Sequence, residues 1–243
     1  MIFDIETGPL PLEIVRERVP EFEPPPPPGE FDPAAVKTGN LKDPEKIREK
    51  VAAAAVAHEH AVARYGRDVQ EAENRYYADA LSKAALSPIT GLVLAIGYLT
   101  ESTTVLDIDE EPPLLHRFWQ QYLYCRSKNE KLVGHNIFNF DLPFLIRRSW
   151  LLDIEIPPGL LEHRRWIDST TFEDTMSLWA CGGHREYQSL DGLAKAFGVG
   201  GKLEGVNGQQ FAELLATDRP LAEKYLATDL TITRAIAERM GVI

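Results

Sequence analysis

Two carboxylates inside a strand-forming run constrain this chain more than any other feature. The first seven residues read Met1-Ile2-Phe3-Asp4-Ile5-Glu6-Thr7, an apolar, β-branched segment that favours a strand. Successive side chains on a strand point to opposite faces, so Ile2, Asp4 and Glu6 share one face while Phe3 and Ile5 share the other. Two anions therefore stand side by side on an element apolar enough to be buried. Unpaired buried carboxylates are costly, and a divalent cation is the usual compensation. Hard oxygen ligands favour magnesium or manganese over zinc.

A solvated N-terminal strand is the plain alternative, and two further segments argue against it. Lys131 to Leu145 reads as an apolar strand, a polar turn at Gly134-His135-Asn136, and a helix opened by Asp141 with Pro143 in its first turn. Asp141 thus lies at the positive end of a helix dipole, which favours its ionised form. Leu221 to Ile232 reads as a helix begun near Pro220. On it Tyr225 and Asp229 occupy one face with Ala222, Leu226, Ile232 and Ile236. A carboxylate on an otherwise apolar helix face is anomalous.

These residues in this order resemble the DEDD 3′→5′ exonuclease superfamily, also called DnaQ-like, which has an RNase H-like fold, and the resemblance covers most of the chain. The motifs read Asp4-Ile5-Glu6, then Asn136 with Asp141, then Tyr225-x-x-x-Asp229. Lys224 stands where the histidine branch carries its histidine, so the tyrosine branch fits. Within that branch the chain resembles the proofreading domain of family B DNA polymerases and stand-alone, phage-type relatives. The run Arg185 to Ala194 is similar to a helix start in such domains.

The resemblance implies two divalent ions, Mg2+ or Mn2+, and two-metal phosphodiester hydrolysis. Asp4 would bridge both ions, Glu6 and Asp229 would complete the site of the water-activating ion, and Asp141 would hold the other through water. Tyr225 would orient the attacking water. Thr7, Gly8 and Leu10 would seat the terminal nucleotide, and Asn136 would position the strand. Phe138 or Phe140 would stack on a base, with a core role the plainer reading of both, and His135 receives no metal role. The expected activity is removal of nucleoside 5′-monophosphates from the 3′ end of a single-stranded nucleic acid, DNA ahead of RNA. Two alternatives are an RNase H-type endonuclease and a catalytically inactive nucleic-acid-binding module. With no polymerase domain attached, a polymerase or other replication or repair partner would be met in trans.

Composition sets further bounds. A chain of 243 residues, 44% of them apolar, can bury one sizeable core, so residues 1–243 are expected to form a single domain. Cys125 and Cys181 are too few for a disulfide framework, which implies a reducing, cytoplasmic setting. No apolar run approaches the length of a membrane span, so no membrane partner is expected. A net charge of −11 opposes a broad electrostatic grip on phosphates. Contacts should be few, with Arg147, Arg148, Arg164, Arg165, Lys195 and Lys202 as candidates. Lys202 leads them because Gly200-Gly201-Lys202-Leu203 offers a flexible loop just ahead of the third motif.

An insertion is expected over about residues 11–88. Leu10 to Gly29, with Pro24 to Pro28 consecutive, should run extended as polyproline. Asp43-Pro44 should open a first helix carrying Ile47, Val51, Ala54, Ala55 and Val62; Gly66 should end it, and Asp68 with Glu71 should cap a second running to Pro88. With seven basic against eight acidic residues over 43–86, this helical hairpin is not a basic nucleic-acid arm. Strands at Leu92 to Leu99 and Val105 to Ile108, a helix from Pro113 to Cys125, the Leu132 strand and a last strand between Trp166 and Thr175 follow. The expected fold is therefore α/β, an RNase H-like mixed five-stranded sheet flanked by helices, with a helical-hairpin insertion after a central first strand.

Overall fold

The acid-bearing run forms strand β1 (Ile2–Pro9). A computed structural model describes every residue except 163–165, 184–185 and 204, together with the side chains of 162 and 166; Arg164, Arg165 and Arg185 therefore lie outside the described residues. After β1 come β2 (Gly91–Leu99), β3 (Thr104–Ile108), β4 (Leu132–Gly134), the short β5 (Leu161–Glu162) and β6 (Trp166–Ile167), and β7 (Phe172–Asp174). The main sheet has the order β3-β2-β1-β4-β7, so β1 is central. It pairs antiparallel with β2 and parallel with β4, and β4 pairs parallel with β7.

Strand alternation sends the two faces of β1 into different cores. Phe3 and Ile5 pack with Leu114, Phe118 and Tyr122 of helix α3 (Glu111–Lys128) and with Leu142 and Leu145 of α4 (Asp141–Leu151). Ile2, on the Asp4 and Glu6 face, packs with Leu230 and Ala237 of α8 (Arg219–Arg239). The sheet is thus flanked by helices on both faces. No helix among the described residues is long and apolar enough to cross a membrane.

The chain divides into two units, Met1–Arg18 with Ser82–Ile243, and Val19–Leu81. In the first, residues expected to run extended instead form helix α1 (Leu12–Arg18). Pro11 precedes it and supplies its carbonyl to the Val15 N–H (3.0 Å), so proline opens this helix rather than breaking it, and Val15 is fully buried.

The expected helical hairpin is corrected to one helix, α2 (Pro44–Ala84), which continues through Gly66. A glycine in a helix interior costs only about 1 kcal/mol relative to alanine, whereas a hairpin needs a turn sequence that Arg64 to Asp68 lacks. The face formed by Ile47, Val51, Ala54, His58, Ala61, Tyr65, Val69, Ala72 and Tyr76 keeps one helical phase across Gly66, and each of these is half-buried. Within the second unit the proline-rich segment runs antiparallel along that face. Tyr76, Tyr65 and His58 bond the carbonyls of Pro20, Pro25 and Gly29 at 2.9, 2.7 and 2.7 Å, and Phe22 packs on Tyr76.

Candidate active site

The site is built where three elements bring acids to one place. A β-bulge follows Glu6, whose partner on β2 is Ala95 while that of Thr7 is Val93. Across from it, Asp218 caps α8 by accepting the Leu221 N–H (3.2 Å), and Ala222, Leu226, Leu230 and Ile236 bury the helix's apolar face. Tyr225 and Asp229 occupy that same face and are buried with it. Oxygen atoms of Asp4, Glu6 and Asp229 all lie within 4.8 Å of one another.

Asp141 arrives by a different route. Strand β4 is only three residues long and pairs with β1 at Ile2↔Val133. The Ile5 N–H beyond it is free to donate to Asp141 Oδ1 at 3.3 Å. The turn from β4 into α4 needs Gly134, where a Cβ would stand 2.3 Å from Ile137 Cγ2 and 3.0 Å from the Phe3 carbonyl. Asn136 follows in the left-handed region at φ 65°.

Asp174, which the sequence reading did not single out, holds this turn. Fully buried at the end of β7, its carboxylate accepts the backbone N–H groups of Asn136 (2.8 Å), Phe138 (3.1 Å) and Met176 (2.9 Å). The signal was available: Asp174 caps helix α5 (Thr175–Trp179) directly after a strand. His135 contacts Thr175 Oγ1 at 2.9 Å and the Gln188 carbonyl at 3.0 Å, and burial lowers its pKa. Its contacts are structural.

The other candidates have these positions. Lys202 lies inside the cluster rather than free on a loop, with Nζ 2.5 Å from Asp229 Oδ2, 3.2 Å from Tyr225 Oη, and 5.3 Å over the Tyr225 ring. Arg148 is not a surface cation. It faces inward from α4, donates to both oxygens of Glu111 (2.6 and 2.9 Å) and to the Pro88 carbonyl, and is buried. Lys195 pairs with Asp191 at 2.6 Å, and Arg147 is exposed. The Thr7 hydroxyl donates to the Ala85 carbonyl (2.7 Å) and the Leu10 N–H to the Thr90 carbonyl (2.9 Å). Gly8 is packed so closely that a Cβ would meet Leu94 Cδ1 at 2.5 Å. Asn136 is half-buried, and its side-chain oxygen accepts from Asn139 at 2.9 Å. Phe138 and Phe140 pack against the core, Phe140 with its ring 5.6 Å from Phe144.

Burial dominates the electrostatics. It raises the pKa values of Asp4 and Glu6 well above the carboxylate range, reinforced by Asp141 and Asp229 at Asp4 and by Asp4 and Asp229 at Glu6. Burial also lifts Asp141 to about 7. Asp229 is raised by burial and partly offset by Lys202. Burial pulls Lys202 down, but the Asp229 charge outweighs it and the net shift is upward. Burial, then Glu6 and Asp229, holds the Tyr225 phenol above its ordinary range. Asp229 Oδ1 is buried and finds no hydrogen-bond donor among the described residues. An orphaned carboxylate oxygen inside a cluster of hard oxygen donors fits a divalent cation.

By sequence, the chain matches no protein-family model and no curated protein. By structure, it is similar to the family B DNA polymerase from the hyperthermophilic archaeon Pyrobaculum calidifontis, with a TM-score of 0.51 and 17% identity. The match covers 65% of this chain and 23% of that one, so this chain spans less than a quarter of that polymerase's length. At that identity the likeness is one of fold: a mixed five-stranded sheet flanked by helices, consistent with the RNase H-like type.

Proposed function

We propose that this chain is a metal-dependent 3′→5′ exonuclease of the tyrosine-branch DEDD type, releasing nucleoside 5′-monophosphates from single-stranded nucleic acid, DNA ahead of RNA. The observation that carries the reading is the convergence of Asp4, Glu6 and Asp229 within 4.8 Å, beside Tyr225 on the same helix face as Asp229. Asp4, Glu6 and Asp229, with Asp141 alongside, would hold Mg2+ or Mn2+, which when bound supplies a nucleophile at neutral pH and offsets charge on the phosphate. Tyr225 keeps its proton, so its hydroxyl orients the attacking water by hydrogen bonding and does not act as the base. Lys202 fixes the positions of Tyr225 and Asp229 through its ammonium group and offers a positive charge at the site for an arriving phosphate.

A 5′-labelled single-stranded oligonucleotide incubated with Mg2+ or Mn2+ should shorten one nucleotide at a time, and a 3′-phosphate should block it. Cleavage of a covalently closed circle at a comparable rate would replace this reading by the endonuclease one. Binding without hydrolysis in either metal would leave a binding module.

Tyr225→Phe is expected to lower kcat by roughly 10²-fold, the scale of misplacing a reacting group by about 1 Å, with little change in substrate binding. Single-turnover kinetics measure this directly. An unchanged rate would make Tyr225 a packing residue of α8.

A further inference from the structure

Glycine occupies position 208 for no reason that the fold supplies. Gly134 is a glycine because a Cβ would collide with Ile137 Cγ2 at 2.3 Å and crowd the Phe3 carbonyl at 3.0 Å. At Gly208 a Cβ would meet, among the described residues beyond its chain neighbours, Glu6 Oε2 and Tyr225 Oη within 4 Å, each at 3.7 Å, which is ordinary van der Waals contact. Its φ is not positive, so no backbone strain excludes a side chain. The two atoms it faces both belong to the candidate site.

The segment around it is held in place from both ends. The Lys202 N–H donates to Asp191 Oδ1 (3.3 Å) while its ammonium group holds Asp229. Gly208 starts a 3-10 turn, Gly208–Gln210, closed by a capping box in which Asn207 Oδ1 accepts from Gln209 (3.0 Å) and Gln210 Oε1 accepts from Asn207 (3.2 Å). Helix α7 (Phe211–Thr217) follows, with Phe211 fully buried and its ring 6.4 Å from that of Tyr225. A side chain at 208 would therefore project from a turn that its capping box and the buried Phe211 hold in place. It would stand against both Glu6 and Tyr225.

We infer that Gly208 is a specificity-determining position, a wall of bare backbone that leaves clearance for the scissile phosphate beside Glu6 and Tyr225. The inference rests on the exonuclease reading above and deepens it. It assigns the phosphate, rather than the base or sugar, to the space facing this glycine. Enlarging either the wall or the phosphate should then have the same effect, and enlarging both should compound it.

The test compares the parent, Gly208→Ala and Gly208→Val. It measures melting temperature, Mn2+ binding by calorimetry, and kcat/KM on single-stranded DNA whose 3′-terminal linkage is a phosphate or either phosphorothioate diastereomer. Both variants should melt and bind Mn2+ as the parent does. Gly208→Ala should lose severalfold in kcat/KM, and more on one sulfur diastereomer than on the phosphate. Gly208→Val should lose about 10²-fold, the scale set by a 1 Å misplacement of the reacting groups. Parent-like kcat/KM in Gly208→Val, reduced Mn2+ binding in Gly208→Ala, or an alanine penalty identical on all three linkages would overturn the inference. If valine perturbs folding, the alanine variant and its three linkages decide. A parent that hydrolyses none of the substrates overturns the exonuclease reading and this inference together, whereas an active parent with an indifferent position 208 overturns this inference alone.

Discussion

Replacing any one of Asp4, Glu6, Asp141 or Asp229 by alanine should reduce hydrolysis by about 10³-fold or more, at or beyond the upper end of the cost of deleting one charge-stabilising donor. The accompanying stability changes should separate the four acids. Asp4 and Glu6 repel their neighbours in a buried site, so removing either relieves repulsion and the metal-free protein should melt at an equal or higher temperature, whereas removing Asp141 also orphans the buried Ile5 N–H, a cost of about 1–3 kcal/mol that offsets the relief. Asp229 differs because it carries the Lys202 ion pair. Its removal leaves the Lys202 ammonium group with Tyr225 but without a counter-charge, a cost of about 1–3 kcal/mol once the buried-pair figure is discounted for the side chain's partial exposure. Single-turnover hydrolysis and thermal melting of the four variants measure both halves. Full activity in any one of them would strike that residue from the site.

Metal binding should reverse the pH dependence of stability. In the metal-free protein Asp4, Glu6 and Asp141 hold protons that the unfolded chain would release, Asp141 up to about pH 7. A folded state that binds more protons loses stability as pH rises, so from about pH 4, where the unfolded carboxylates ionise, to about pH 7 the melting temperature should fall. Divalent ions need the ionised carboxylates, and their contribution grows over the same range. At a hundredfold excess over Kd, Mn2+ should add about 2.7 kcal/mol, or about 5–10 °C for a chain of this size. Asp141→Asn should flatten the metal-free slope. A melting temperature indifferent to Mn2+ at about pH 8 would remove the metal centre.

The parts of this architecture that depend on local periodicity were legible in the sequence. Alternation along Ile2 to Glu6 sorted the side chains onto the two faces they occupy, and the four-residue spacing of Tyr225 and Asp229 placed them together on the buried face of α8. The same periodicity was misread at Gly66. The half-buried phase from Ile47 to Tyr76 sums over many residues, whereas the penalty of a single glycine is paid once, so the helix continues. What local pattern cannot carry is the partner of a charge. Arg148 and Lys202 look alike as surface cations in a linear reading; tertiary contacts bury one against Glu111 and aim the other at Asp229. Asp174 is legible only in part: its cap of α5 is a local signal, but the N–H groups it accepts from Asn136 and Phe138 lie far from it in the chain.

The brevity of β4 also gives the molecule a built-in reporter. The amide proton of Ile5 is screened from solvent by a carboxylate at 3.3 Å and not by a neighbouring strand. Its exchange with solvent deuterium is therefore tied to the ionisation and seating of Asp141, while the ladder amides around it follow the opening of the sheet. One backbone signal in the middle of the central strand registers whether the two motifs on either side of it are joined.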